Sequence, residues 1–365
     1  MMRPSRDHSL DIFKGLLVVL MTWCHVLQFF GDSTLFPLNA SLETAANLLV
    51  FPGFVFAFGA AAELAWYRKP FGHALPRMLM SAAKALGAFY VSGLAFRVIR
   101  EGKPFASGTV QRILLLQDLP GWSEFLAAFF MLGIVAILLH APMRMARRRP
   151  WVLVPVGILC LVLCFIPYEC VQHPLLRLLV GTTAYASFPV MQYLPYFMLG
   201  AYYAQRAGGR WVLLAVAAAF TLGGLARAFT LGHMPQRFPP DFGWILLPAA
   251  GLAALLALSQ MLDRLRVPKV NQLEPRRWLG ALGANSLYYL LAGNLTIFAL
   301  AGRGAPPQLK FRAWGLFGQP IAGPWGSFLW TMALLIAAAF VASLVRGGAK
   351  SAPPASRAPE GESAA

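Results

Sequence analysis

SLDIFKGLLVVLMTWCHVLQFF, residues 9–30, is the stretch that decides how this chain is read. It is apolar over most of its length, and about twenty such residues in a helix cross a hydrocarbon layer of about 30 Å. Yet it carries Asp11, Lys14 and His25. Eleven helical steps from Lys14 to His25 make about three turns, so both side chains fall on one face, roughly 16 Å apart. Asp11 stands one turn before Lys14. Ionisable groups inside a bilayer are costly and usually mark a pathway or a reaction. Simpler readings stay open beside that one: Lys14 can snorkel its ammonium to the headgroups, and His25 can be a neutral imidazole bonded to a neighbouring helix.

The rest of the chain continues the pattern. Hydrophobic residues make up 58% and charged residues 12% of the sequence, about half the charged fraction of a soluble domain. The fold class is therefore an all-α polytopic membrane protein. About ten segments are long and apolar enough to predict a span: 12–30, 45–67, 78–99, 122–140, 151–167, 188–204, 211–230, 242–262, 279–301 and 325–345. Residues 1–346 form one membrane domain, and the Ala, Ser, Pro, Gly and Glu-rich stretch 347–365 is expected to be a disordered tail. The first run is expected to be a retained helix and not a secretory signal, because it is long, polar in places and followed by no small-residue cleavage pattern.

Loop charges orient this bundle. With the N-terminus in the cytoplasm, the inner segments hold Arg3, Arg6, Arg68, Lys69, Arg77, Arg144, Arg147, Arg148, Arg149, Arg206, Arg210, Arg264, Arg266, Lys269, Arg276, Arg277, Arg346, Lys350 and Arg357. The outer loops hold fewer, chiefly Arg100, Lys103, Arg112, Arg177, Arg237, Arg303, Lys310 and Arg312. The positive-inside rule then places both termini in the cytoplasm of a multi-pass inner-membrane protein. The net charge of +17 follows from these scattered loop residues. It forms no single basic stripe, so no nucleic-acid partner is expected. The four cysteines have no paired CxxC spacing, so no metal site is expected. Cys24 reads as core packing, with a role as acyl acceptor beside His25 as its alternative.

Polar residues gather at both ends of the bundle. Arg77 and Lys84 lie seven residues apart on one face of the third segment. With Lys14 they would form a cationic funnel on the cytoplasmic side for a phosphorylated ligand. On the outer side stand Arg97, Arg112, Asp118, the Trp122–Ser123–Glu124 run and, deep in segment seven, Arg227. Glu124 also suits a helix N-terminus, where the macrodipole favours a carboxylate. Glu63, near the inner end of segment two, is expected to pair with a cation of a neighbouring helix.

Several pieces in order resemble one family. DIFKGLLVVLMTWCH (11–25), PGFVFAFGAAAE (52–63), GWSEFLAAFF (121–130), YLPYFMLGAYYAQ (193–205) and LGANSLYYLLAGNL (282–295) are similar to successive motifs of the acyltransferase-3 family of integral membrane acyltransferases. Lys14 stands where the family has an arginine, and Ala292, Gly293 or Asn294 stands near the place of a late-helix histidine. The resemblance covers residues 9 to about 300 and implies transfer of an acetyl or succinyl group from cytosolic acyl-CoA, as co-substrate, to a hydroxyl of a cell-envelope glycan or lipid-linked sugar. It implies His25 as the base or transient acyl carrier, and Asp11, Lys14, Arg77 and Lys84 at the coenzyme phosphates. Trp122, Glu124 and Arg227 would stand on the acceptor side. The alternative is a transporter or flippase that uses the same polar interior without chemistry, and a third reading is a scaffold or sensor.

Overall fold

The computed structural model of the protein describes residues 8–205, 209–265, 275–302, 315–316 and 319–351. The chain folds as helices, α1 (His8–Phe30), α2 (Leu38–Ala62), α3 (Phe71–Ala95), α4 (Ser107–Leu114), α5 (Glu124–Leu138), α6 (His140–Ala146), α7 (Leu153–Val162), α8 (Pro174–Val180) and α9 (Val190–Gln205). They are followed by α10 (Arg210–Leu231), α11 (Phe242–Leu246), α12 (Ala249–Arg264), α13 (Pro275–Ala284), α14 (Ser286–Ala301) and α15 (Pro324–Ser351). Two short strands, β1 (Gly315–Leu316) and β2 (Gln319–Pro320), pair antiparallel before α15.

Among the described residues, six helices are long and apolar enough to cross a membrane, and up to eight do so if each bent pair is one span. This is fewer than the ten expected, for two physical reasons. Segment five breaks into a 3-10 turn at Pro150–Val152, the ten-residue α7, and a second 3-10 turn at Leu163–Phe165. Segment six gives α9, whose 16 residues reach about 24 Å at 1.5 Å each, short of a hydrocarbon layer of about 30 Å. The fourth and ninth segments are themselves bent, by 65° between α5 and α6 and by 84° between α13 and α14. The last helix runs past residue 346 to Ser351, no proline occurring before Pro353. The remainder of the expected tail, 352–365, lies outside the described residues, as do Arg3, Arg6, Arg206, Arg266, Lys269, Arg303, Lys310, Arg312 and Arg357 of the loop-charge pattern.

The first helix is the hub, packing against α2, α12, α13, α14 and α15. Helix crossings in apolar surroundings are tightest where small residues let backbones approach, and two crossings here depend on that. A Cβ on Gly15 would run into the carbonyl of Leu279, and one on Gly283 into the carbonyl of Asp11, so α1 and α13 meet main chain to main chain. Gly59 and Gly200 do the same for α2 and α9, against Phe197 and Phe56. The central core joins Phe13, Leu17, Phe54, Phe89, Leu132 and Phe197, among others. In contrast, α10 and α15 leave residues such as Leu222, Phe229, Ile336 and Phe340 exposed. That is apolar surface of the kind a bilayer covers.

One buried charge locks the end of the bundle nearest the start of α3. Helix α2 ends in a π turn, Glu63–Tyr67, and Glu63 is fully buried. Its carboxylate meets Arg147 at 3.2 Å and Arg68 at 3.6 Å, and accepts a hydrogen bond from Gln205 at 3.1 Å. The expected pairing is present, and it ties α2, α9 and the turn after α6 together.

Candidate functional site

His25 lies in the C-terminal half of α1, where α2, the start of α5, the segment before α9 and the α10–α11 connection converge around a cavity of about 210 Å³. Its Nδ1 is 3.0 Å from Asn294 Oδ1 on α14. The orientation of that amide is fixed independently, because Asn294 Nδ2 donates to the Trp122 carbonyl at 2.9 Å and to Ser92 Oγ at 3.3 Å. Reversing the amide would set oxygen against oxygen at Trp122. Asn294 Oδ1 therefore accepts and Nδ1 carries a proton, so that in the neutral ring Nε2 is the nitrogen with the free lone pair. Among the described residues Nε2 has no partner, and His25 lines the cavity. An imidazole held in this way is prepared to take a proton there.

The loop before α5 supplies a second wall. Trp122 adopts a positive φ of 60°, a conformation that costs a non-glycine residue energy and tends to persist where surroundings enforce it. Here its indole Nε1 donates to Gln28 Oε1 at 2.6 Å, and Gln28 Nε2 donates to Glu43 Oε1 at 3.0 Å. Its ring sits 4.6 Å from that of Phe29 and 5.5 Å from that of Phe96. Ser123 Oγ pairs with Ser92 Oγ at 2.8 Å. Below the turn, Arg97 of the π segment Phe96–Arg100 grips Asp118 through both Nε and Nη2 and also pairs with Glu101. Arg97 and Asp118 thus anchor the loop that presents Trp122.

Glu124 opens α5, is 7% exposed, and lines the cavity. The backbone amides of its own turn lie toward its carboxyl, as expected of an acid at a helix N-terminus, while Oε2 is buried without a partner. The α10–α11 connection adds Arg237 to the cavity lining, its Cζ 4.4 Å from the Phe238 ring centroid and 5.7 Å from that of Phe188. Its Nε is buried without a partner, and Arg237 forms no ion pair with a described residue. Burial holds the guanidinium below its ordinary pKa, against the opposing pull of charges at Glu124 and Glu43. Cys24 is buried on the same wall and donates to Asn47 Oδ1 at 3.3 Å.

The sequence-predicted residues separate into groups. His25, Trp122 and Glu124 meet at one cavity. Arg227 does not join them: it forms a two-pronged pair with Asp241, with Nη2 to Oδ2 at 2.8 Å and Nε to Oδ2 at 3.1 Å. Asp241 is the N-cap of α11, accepting from Gly243 N at 2.7 Å. Arg227 therefore fastens α10 to α11. At the opposite end of α1, Lys14 pairs with Asp11 at 2.8 Å. Asp11 borders a cleft of about 380 Å³ with His8, Asp263, Arg276 and Arg277. Arg77 and Lys84 are exposed on α3 and line neither the His25 cavity nor this cleft. Neither of these two spaces is lined by Lys14, Arg77 or Lys84.

Two residues of the site escaped the sequence reading of function. Arg237 stood there only as one outer-loop cation among several. Asn294 stood only at the place of an expected histidine, and the structure puts it in contact with His25. No protein-family model matches the chain, and neither does any curated protein or any solved structure.

Proposed function

We propose that this multi-pass membrane protein is an O-acyltransferase that moves an acetyl or succinyl group from acyl-CoA to a hydroxyl of a cell-envelope glycan or lipid-linked sugar. The observation that carries the reading is the His25–Asn294 pair: an imidazole whose Nδ1 donates to Asn294 and whose Nε2 is unpartnered among the described residues at a cavity wall. In the proposed reaction Nε2 removes the proton of the acceptor hydroxyl as its oxygen attacks the thioester carbonyl carbon. The tetrahedral intermediate collapses, the carbon–sulfur bond breaks, and the departing thiolate takes the proton back from the imidazolium. Asn294, accepting from Nδ1, is the positioning residue for the ring in both protonation states.

The acyl-CoA would approach from the end of α1 that carries Asp11 and Lys14. In this account the cleft beside them, with Arg276 and Arg277 on its rim, takes the coenzyme phosphates, since Lys and Arg make the strong charge-assisted bonds to phosphate oxygens. Arg77 and Lys84 enter the proposal only as further cations on α3. About 16 Å separates Lys14 from His25 along the helix, a distance a coenzyme arm must cover. Trp122 and Glu124 would border the acceptor.

The test is turnover in purified protein reconstituted in lipid: acyl-CoA should be consumed with release of free thiol, and envelope glycans should carry the acyl ester only in cells with the gene. Unchanged glycans and transport of an intact ligand across the bilayer would instead establish the transporter reading.

A further inference from the structure

We propose that Arg237 is a carboxylate-binding residue, and that the molecule occupying the His25 cavity presents a carboxylate to it. The inference deepens the acyl-transfer reading by naming a chemical feature of the substrate, and for the choice of probes it rests on that reading. Arg237 is half-buried, and the part of a guanidinium that is removed from water is costly unless something compensates it. Here the compensation from the protein is incomplete. Phe188 and Phe238 offer ring faces at 5.7 and 4.4 Å, yet no described carboxylate pairs with Arg237, and its Nε is buried without an acceptor.

Two other arginines near this end contrast with it. Arg97 has Asp118 and Glu101, and Arg227 has Asp241. Each is paired with a carboxylate within its own neighbourhood. Arg237 alone of these three lines the cavity, which leaves its donors for a ligand. Guanidinium and carboxylate match in a planar fork of two parallel hydrogen bonds. The cavity of about 210 Å³ is smaller than the 300–1,000 Å³ typical of sites for drug-sized ligands. It suits a short dicarboxylic acyl chain, or one edge of an acidic sugar ring. The shared chemistry is a carboxylate within reach of Arg237 while a reacting group lies at His25.

Two probe pairs separate those sources. The first pair is succinyl-CoA against butyryl-CoA, of equal chain length with and without the carboxylate. The second is an oligogalacturonate against its methyl ester. Binding to the lipid-reconstituted full chain is measured for each, so the result does not depend on turnover. Wild type should prefer the charged member of one pair by about tenfold to a hundredfold, the range of one charge-assisted hydrogen bond. Arg237→Gln should abolish that preference while binding the neutral member as before, and Arg237→Lys, which keeps the charge, should retain part of it.

Preference in the first pair assigns the carboxylate to the acyl donor, and preference in the second assigns it to the acceptor. Equal binding of both members in both pairs, or an unchanged preference in Arg237→Gln, overturns the proposal. If the carboxylate preference is present and depends on Arg237 but no acyl transfer occurs, the carboxylate site stands and the enzymatic reading fails. If transfer occurs with charged and neutral substrates used equally, the reverse holds.

Discussion

Asn294 Oδ1 sits 3.0 Å from His25 Nδ1, and the same amide is held from behind by the Trp122 carbonyl at 2.9 Å. The proton on one nitrogen of the ring is therefore set by a loop residue that the ring does not touch through that atom. Asn294→Ala should lower kcat by about tenfold to a hundredfold, the worth of one hydrogen bond to a group that becomes charged. Binding of acyl-CoA should be unchanged, since Asn294 does not border the Asp11 cleft. Asn294→Asp keeps an acceptor for Nδ1 and should recover part of the rate. Steady-state kinetics that showed KM rising with kcat intact would remove the positioning role.

The crossing of α2 and α9 rests on Gly59 and Gly200, each facing the other helix's main chain. Overpacking a core costs about 1–3 kcal/mol and more where backbone is the obstacle. Gly200→Leu should therefore fail to give a monodisperse protein on size exclusion in detergent. Gly87→Leu, at an α3 position where a Cβ meets nothing within 4 Å, should behave like wild type. Equal behaviour of the two variants would show that the crossing tolerates separation.

Glu63 holds three partners at the far end of the bundle from the cavity. Glu63→Ala should destabilise by about 1–3 kcal/mol, because the cations and the amide lose a buried acceptor. A thermal melt in detergent reads this as a lower midpoint. The His25→Gln variant, by contrast, should melt close to wild type.

Both loop orientations follow from crossing number. Between Thr34 and Arg148 the chain runs through α2, α3 and the bent α5–α6 pair; with that pair counted as one span, the expectation is that those positions lie on opposite faces. In a protein lacking its native cysteines, Thr34→Cys should react with an impermeant thiol reagent from outside and Arg148→Cys only after permeabilisation. Labelling of both from the same side contradicts the α5–α6 pair as a span, and a reversed pattern contradicts the cytoplasmic N-terminus.

The stripe bearing Lys14 and His25 was legible because polar residues in an apolar helix stand out and helical spacing fixes their face. Trp122 and Glu124 were legible as a polar run opening a segment. Arg237 was not, since a cation in a loop is ordinary until the fold brings it to the cavity lined by His25, more than 200 residues earlier. Arg227 misled for the opposite reason. Its depth in an apolar helix suggested function, but Asp241, fourteen residues on, was out of view as its partner. The number of spans exceeded what the structure supports because hydropathy counts apolar residues, while crossing a membrane needs continuous rise. The 3-10 turns beside α7 and the short α9 interrupt that rise.

The central claim, that this cavity performs acyl transfer with His25 as its base, is tested most directly by single-turnover kinetics of His25→Gln. The variant is reconstituted in lipid beside wild type, with insertion and acyl-CoA binding first shown to be normal. Glutamine keeps hydrogen-bonding capacity but cannot take the acceptor's proton, and loss of a general base costs about 10² to 10⁴ in rate. Thiol release should fall by that factor while bound acyl-CoA stays at the wild-type level. Acyl transfer by His25→Gln at near the wild-type rate would contradict the account and leave His25 and Asn294 as a packing contact between two helices.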